Sequence, residues 1–230
     1  MTGSERPDPG LVASCLDDLE RLWHHGSLGH PAFSDEPLDG LVLTILSQNT
    51  NDRNRDRAFG SLKARFPSWD RVASASWEEV AESIRSGGIA NVKARRILSV
   101  LELIRQRFGE YSLKKLTRWS DGEIRDYLEG IPGVGPKTAA CVLLFDLGRP
   151  AFPVDTHVAR VAKRLGWVLK NTPPAKIQQI MEETVKVDRY LAGHLNIITH
   201  GRHICRAIKP LCGDCPISDR CHYHQEGKEK

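Results

Sequence analysis

Residues 128–144 read LEGIPGVGPKTAACVLL and contain the turn that decides the fold. A helical pattern ends before Pro132-Gly133, and Pro136 suits the first turn of a new helix predicted over about 136–147. Glycine at 133 and 135 lets the backbone turn sharply and come close to another molecule. The free N–H groups at the start of the second helix would then bind an anion, of which a DNA phosphate is the natural example. An ordinary helix–turn–helix junction with a glycine stop is the alternative interpretation.

The rest of the chain has helical periodicity almost throughout, and no run alternates as a strand would. The most apolar segment lies between Leu38 and Leu46, which predicts a central helix. Serine followed three residues later by glutamate predicts capping boxes that start helices after Ser76 and Ser120. The polar tail after Cys221 is predicted to be disordered. The fold class is therefore predicted to be all-α, with short connections.

The composition is that of a globular protein, since 40% of the 230 residues are hydrophobic and 27% are charged. The net charge of +4 permits a nucleic-acid partner without requiring one. No segment is apolar enough to span a membrane, and the first ten residues lack the basic start and apolar core of a signal peptide. These features predict a cytoplasmic protein that associates with the nucleoid.

A run of four cysteines with the spacing C-x6-C-x2-C-x5-C lies near the C-terminus, at Cys205, Cys212, Cys215 and Cys221. Four thiolates at these intervals can surround one metal centre, which means zinc or an iron–sulfur cluster. Zinc sites usually have two separated C-x2-C pairs, and the single such pair here favours a cluster. Two disulfides are the alternative, although intracellular chains rarely keep them. Cys15 and Cys141 fall in helical patterns and are expected to be buried thiols.

Three motifs together resemble the endonuclease III family of DNA glycosylases. The stretch GIPGVGPKTA is similar to that family's helix–hairpin–helix, and Val154-Asp-Thr-His is similar to its catalytic aspartate segment. The cysteine run is similar to the family's [4Fe–4S] loop. The motifs occur in the family's order and at similar intervals, and the resemblance extends from about Asp39 to Cys221.

The resemblance implies a helix–hairpin–helix DNA glycosylase fold with two α-domains. A six-helix barrel is expected over 31–150, with the hairpin at about 127–147. Residues 1–30 and 151–230 would form a domain that holds one [4Fe–4S] cluster on the four cysteines. The active site is expected in the cleft between the two domains.

Two residues match the family's catalytic pair. Lys137 corresponds to the lysine whose amine attacks C1′ of the damaged nucleotide, expels the base and forms an imine with the opened sugar. Asp155 corresponds to the aspartate that stabilises the sugar cation and helps to deprotonate the lysine. From local sequence alone, a phosphate-contacting lysine and a helix N-cap are the alternatives for these two positions.

The resemblance also implies residues that contact DNA, because a base within a duplex must be flipped out to react. Ile89 would insert between base pairs as an apolar wedge, or else be a buried residue in a turn. Gln48 or Asn49 would fill the gap or read the opposite base. The loop between Cys205 and Cys212 would present Arg206 and Lys209 to a phosphate. The hairpin would contact DNA through Gly133 and Gly135.

The chain is interpreted as a monomeric bifunctional glycosylase and abasic-site lyase that acts on oxidised or otherwise altered pyrimidines in duplex DNA. Segments 151–156 and 164–168 resemble a branch that includes plant 5-methylcytosine glycosylases, so the preferred base stays open. One alternative is a monofunctional or mismatch-type enzyme acting on T or U opposite G, or on 5-substituted cytosine. The presence of Lys137 argues against this alternative. A more remote alternative is a non-catalytic DNA-binding module, which would tolerate any residue at 137 and 155.

Overall fold

The structure is a computed structural model that describes residues 6–24 and 35–228. All regular elements in these ranges are helices, so the all-α prediction is confirmed. The α-helices of the described ranges are α1 (Pro9–Trp23), α2 (Pro37–Ser47), α3 (Asp52–Arg65), α4 (Trp69–Ala73), α5 (Trp77–Ser83), α6 (Ala90–Phe108), α7 (Asp121–Glu129), α8 (Pro136–Cys141), α9 (Thr156–Leu165), α10 (Pro174–Thr184), α11 (Tyr190–His203) and α12 (His222–Lys228).

The helices fall into two compact units. One lies within Pro31–Arg149 and contains α2 to α8, and we call it the hairpin unit. The other lies within Met1–His30 and Pro150–Lys230 and contains α1 and α9 to α12, and we call it the cysteine unit. The predicted boundary between residues 30 and 31 falls outside the described residues.

The core of the hairpin unit is built around α2, as predicted from its apolar pattern. This helix contacts α3, α6 and α8. Five of its apolar side chains are completely buried, namely those of Leu38, Leu41, Val42, Ile45 and Leu46. Burying one such side chain contributes about 1.5–3 kcal/mol, so α2 contributes substantially to the hydrophobic core of this unit.

Both predicted capping boxes are present in the hairpin unit. Ser76 and Glu79 exchange hydrogen bonds at the start of α5, and Ser120 and Glu123 do the same at the start of α7. Each box satisfies backbone N–H groups that a helix leaves without partners at its first turn. The box at Ser120 fixes where α7 begins, and Gly130 caps its end, so the hairpin enters its turn at a defined position.

In the cysteine unit, α11 contacts both α1 and α9. Phe152, in the segment before α9, is completely buried and meets the ring of Tyr190 edge-on at a centroid distance of 5.6 Å. Cys15 on α1 is buried, and so is Cys141 on α8 of the hairpin unit, which confirms the prediction for both thiols.

The prediction of a disordered tail after Cys221 was wrong for residues 222–228. They form α12, which is held by side chains that the polar composition did not reveal. The guanidinium of Arg164 lies 4.5 Å from the ring centroid of Tyr223, and Lys170 pairs with Glu226 at 3.1 Å. The cation over the aromatic face anchors this segment, which has little apolar surface to bury, while the exposed ion pair adds little.

Within residues 6–24 and 35–228, none of the helices combines the length and the apolar character that crossing a membrane would require.

Candidate active site

The predicted hairpin is formed by the end of α7, a turn over residues 130–135 and the start of α8. Gly133 has a φ of 84°, and a Cβ at this position would lie 2.5 Å from Nε of Arg96, so the fold itself requires glycine there. Gly135 differs, because a Cβ built on it meets no atom within 4 Å. The backbone N–H groups of both glycines have no acceptor in the described part of the chain. The turn therefore leaves an open face at Gly135 with donors available to an anion.

Lys137 is the second residue of α8 and is half-buried. The next three residues, Thr138, Ala139 and Ala140, are buried and anchor the helix in the core of the hairpin unit. The backbone of Lys137 is therefore fixed, while its position two residues after Gly135 places it directly beside the open turn.

Asp155 is the N-cap of α9, as the local sequence suggested. Its Oδ1 accepts a hydrogen bond from the backbone N–H of Val158 at 2.8 Å. The other oxygen, Oδ2, has no donor among the described residues. Capping thus fixes the position of the carboxylate and leaves one oxygen available, and its catalytic role stays a prediction.

The chain that leads to Asp155 is held from two sides within the cysteine unit. The backbone N–H of Phe152 donates to Oε1 of Glu182 at 3.0 Å, and the carbonyl of Pro153 lies 2.8 Å from Nδ1 of His194. Since a carbonyl only accepts, Nδ1 of His194 must carry the proton. A buried, hydrogen-bonded segment therefore delivers Asp155 to the first turn of α9.

Ile89 is the residue that precedes α6, and it is 52% exposed. This exposure removes the alternative that it is a buried residue in a turn. Its backbone lies in the left-handed region, with a φ of 40°, which is rare for a β-branched residue. Such strain is found mainly at functional positions, so the geometry is compatible with a wedge.

Gln48 and Asn49 follow the end of α2 and lie close to the Ile89 turn. A Cβ built on Gly88 would come within 4.0 Å of the Asn49 carbonyl oxygen. Asn49 is exposed and has a φ of 52°. Oε1 of Gln48 accepts a hydrogen bond from Nη1 of Arg96 at 2.5 Å. The structure therefore brings three of the predicted DNA-contact residues together beside the first turns of α6.

Lys93 was missed by the sequence reasoning, although it holds these segments together. Its side chain is completely buried, and Nζ donates to the carbonyls of Leu46 and Gly87, each at 2.7 Å. Burial is the larger cause, and the nearby charge of Arg96 the smaller one, of a lowered pKa at Lys93. A lysine within a helical pattern gives no sign that its partners lie 47 and 6 residues away along the chain.

The four cysteines of the C-terminal run line a single pocket. All six cysteines of the chain are free, so the structure does not contain the two disulfides of the alternative interpretation. Burial raises the pKa of Cys215 to about 11 and raises that of Cys221. Nη1 of Arg164 donates to Sγ of Cys205 at 3.4 Å, and the ring nitrogen Nε2 of His200 lies 3.5 Å from Sγ of Cys215. Thiols gathered around one pocket, with a guanidinium and an imidazole beside them, suit an iron–sulfur cluster, whose binding would deprotonate them.

Two arginines of α9 hold the loop between Cys205 and Cys212, and neither was predicted. Arg160 donates to the carbonyls of Cys205 at 3.0 Å and Gly201 at 2.7 Å. Arg164 donates to the carbonyls of Arg206 at 2.7 Å and Ala207 at 3.0 Å. The predicted phosphate contacts Arg206 and Lys209 are both exposed on this loop, and Lys209 has a φ of 49°.

A hairpin between helices and a pocket lined by four cysteines, in a structure whose described residues form only helices, are the features expected of an iron–sulfur protein that binds DNA. Comparisons with known proteins support this assignment along most of the chain. The family model described as HhH-GPD superfamily base excision DNA repair protein matches residues 42–187. The model described as iron-sulfur binding domain of endonuclease III matches residues 205–221.

Individual relatives give the same result. A candidate DNA glycosylase of Arabidopsis thaliana is 40% identical over 190 residues, which are 78% of this chain and 64% of that protein. The endonuclease III of Thermotoga maritima is 32% identical over 197 residues, with 84% of this chain and 86% of the relative covered. A solved structure of a trapped endonuclease III–DNA covalent intermediate matches with a TM-score of 0.80 at 25% identity, covering 96% of this chain and 99% of that one.

The chain therefore belongs to the HhH-GPD superfamily of base excision DNA repair proteins and, within it, to the endonuclease III family. The fold expected from the hairpin and cysteine motifs is thereby confirmed. The prediction of one [4Fe–4S] cluster is confirmed as well.

Proposed function

We propose that this protein binds duplex DNA, removes altered pyrimidines from it and cleaves the strand at the abasic site that results. Base excision repair by a glycosylase with lyase activity follows from membership of the endonuclease III family. The choice of pyrimidines, the residues that act and a monomeric state are our proposals. An enzyme with this substrate works at the nucleoid.

Lys137 is proposed as the nucleophile. Its neutral amine attacks C1′ as the glycosidic bond breaks, and the base leaves with the bonding electrons. Opening of the sugar gives an imine between Nζ and C1′, and loss of a C2′ proton then expels the 3′ phosphate and cleaves the strand. The observation that carries this proposal is the position of Lys137 in the first turn of α8, two residues after the unobstructed Gly135.

Asp155 is proposed to stabilise the positive charge that develops on the sugar and to accept a proton from the lysine. A carboxylate is suited to both tasks, because an anion favours a developing cation and is a base. The N-cap bond to Val158 supports the proposal, since it holds the carboxylate in place with Oδ2 available. Lys137 and Asp155 belong to different units, so their cooperation is a matter for the experiment.

The contacts to DNA and to the cluster are proposed from the same family pattern. Ile89 is the wedge, and Gln48 and Asn49 face the gap and the base opposite the extruded one. Gly133 and Gly135 present backbone N–H groups to a phosphate, and Arg206 and Lys209 contact a second phosphate. The cluster ligands are Cys205, Cys212, Cys215 and Cys221, and the cluster would stiffen the loop that carries Arg206 and Lys209. The pocket shared by the four thiols supports this ligand set.

Borohydride trapping tests the proposed chemistry. Reduction of the imine should join the wild-type protein covalently to DNA that contains one abasic site, and Lys137→Gln should abolish this product while still binding DNA. Lys114→Gln is the matched control, because Lys114 is an exposed lysine of the same unit. Trapping at the wild-type level in Lys137→Gln would remove this residue from the mechanism. Absence of trapping in the wild type, together with base release, would instead favour the monofunctional alternative.

A panel of duplexes, each with a single modified base, tests the substrate. Excision of oxidised pyrimidines is expected, with much slower release of T or U opposite G and of 5-methylcytosine. Faster release of a mismatched or methylated base than of any oxidised pyrimidine would contradict the proposed substrate class and leave the lyase chemistry intact.

A further inference from the structure

Arg96 determines which end of the Gln48 amide points away from the protein. Nη1 of Arg96 lies 2.5 Å from the amide atom of Gln48 assigned as Oε1. A guanidinium carries only donors, so the atom that faces it must be the oxygen. The amide nitrogen, with two N–H donors, is therefore directed away from Arg96.

Arg96 is itself held in place by the hairpin. A Cβ at Gly133 would lie 2.5 Å from Nε of Arg96 and 2.9 Å from its Cδ and Cζ. The arginine side chain thus occupies the space that a side chain at 133 would fill. Gly133 is exposed and Arg96 is partly exposed, so the pair lies at the surface of the hairpin unit and not in its core.

The backbone next to Gln48 is fixed from the same helix. Lys93 lies three residues before Arg96 on α6, and its Nζ donates to the carbonyl of Leu46, two residues before Gln48. One helix therefore holds both the main chain and the side chain of the predicted base-reading segment. The amide of Gln48 cannot rotate without breaking its hydrogen bond to Arg96, and the end of α2 that leads to it is anchored by Lys93.

We infer that Arg96 is a positioning residue that makes Gln48 a donor-only reader of the base opposite the excised nucleotide. The inference rests on the proposed function, in which Gln48 faces that base. Guanine has an acceptor oxygen at position 6, whereas adenine has an amino group there. A fixed amide N–H₂ group should therefore favour guanine over adenine as the opposite base.

The test measures binding without catalysis. Fluorescence anisotropy gives the Kd for duplexes in which the abasic analogue tetrahydrofuran lies opposite guanine or adenine. The wild type is expected to bind the guanine duplex about tenfold more tightly, which is typical of one hydrogen-bonded pair with a base edge. Arg96→Met should reduce this ratio to less than about twofold, because the amide is then free to rotate and offer either end. Arg96→Lys keeps a donor and should restore most of the preference.

Two further variants separate positioning from general effects. Arg95→Met removes the same charge one residue away, at a guanidinium that lies 3.7 Å from the Trp77 ring and not on Gln48, and should keep the guanine preference. Gln48→Glu keeps a partner for Arg96 but directs an acceptor outward, and should reverse the preference toward adenine.

An unchanged ratio in Arg96→Met would overturn the inference, and so would an equal loss in Arg95→Met or a wild type that does not prefer guanine. A wild type that binds tetrahydrofuran duplexes no better than undamaged DNA would overturn the proposed function itself. Thermal melting of each variant shows that any change in the ratio comes from a folded protein.

Discussion

Replacing Asp146 with asparagine should stabilise the protein at neutral and alkaline pH. Asp146 ends the π-helical turn Val142–Asp146 that continues α8, and its carboxyl group lies directly against Gly40 of α2. A Cβ on Gly40 would overlap that carboxyl group, so glycine is what makes room for it. Burial and then the charge of Asp39 raise the pKa of Asp146 to about 7. Asp39 in turn accepts a hydrogen bond from Nζ of Lys63 at 3.1 Å.

The size of the effect follows from the difference between the folded and unfolded pKa values. A rise from 3.8 to about 7 is roughly three units, and at 1.36 kcal/mol per unit it corresponds to about 4 kcal/mol. The folded state binds the proton more tightly, so the free energy of unfolding is highest at low pH and falls as pH rises from about 4 through 7. Asparagine resembles the protonated acid and removes this loss. Because the carboxyl is partly accessible to water, we expect a gain of about 2–4 kcal/mol above pH 7.

Thermal melting of both proteins between pH 5 and pH 8.5 tests this expectation. For a chain of this length, a gain of that size raises the Tm by about 5–10 °C at pH 8 and by much less at pH 5. Asp126→Asn is the control, since Asp126 is an exposed acid of α7. Parallel Tm curves for the wild type and Asp146→Asn, or a less stable variant at pH 8, would refute the argument that a buried ionised carboxyl destabilises this fold.

Four other changes test the remaining structure. Asp155→Asn should melt like the wild type, since asparagine caps equally well, but single-turnover excision should fall about a hundredfold; unchanged excision would reduce Asp155 to a cap. A Cβ at position 135 meets no atom within 4 Å, so Gly135→Val should fold normally, yet bind damaged and undamaged duplexes about tenfold more weakly by anisotropy; a loss confined to one lesion would point to base reading. Lys93→Met leaves two carbonyls without their donor and should cost about 2–5 kcal/mol in urea unfolding; a cost below ~1 kcal/mol would deny the bracing role. Cys205→Ser should give little soluble protein, with iron far below the ~4 atoms per chain of a full cluster; a full iron content would remove Cys205 from the ligand set.

The helices of this protein were predictable because their causes are local. The apolar period of α2 and the capping boxes at Ser76 and Ser120 are set by residues three or four positions apart, and all three predictions are confirmed. The family was predictable for a related reason. The hairpin and the cysteine run each place their functional groups within fewer than twenty residues, so the spacing survives in the sequence.

The parts that escaped prediction depend on polar side chains with distant partners. Arg164 was visible as a charge in the last turn of α9, but its bonds to Arg206 and Ala207 and its contact with Tyr223 join residues more than 40 positions apart. The same contact explains why α12 was missed, because a polar sequence is ordered there by a tertiary interaction. Sequence periodicity cannot predict such contacts, because the residues that make them come together only when the chain has folded.

In both units, the segments proposed to face DNA are supported by the same kind of interaction, a cationic side chain that binds backbone carbonyls. In the hairpin unit, Lys93 holds the carbonyls of Leu46 and Gly87, and in the cysteine unit Arg164 holds those of Arg206 and Ala207. In each case a helix supplies the cation; the oxygens belong to the last turn of α2 and the short turn Arg85–Gly87 in one unit, and to the loop after Cys205 in the other. Backbone carbonyls at such chain ends need hydrogen-bond donors, and beside DNA the phosphate oxygens, which only accept, would repel them. Drawing the carbonyls inward onto a fixed cation removes that repulsion and stiffens the loop at the same time. We therefore expect the cations of α6 and α9 to matter for DNA binding without touching the DNA.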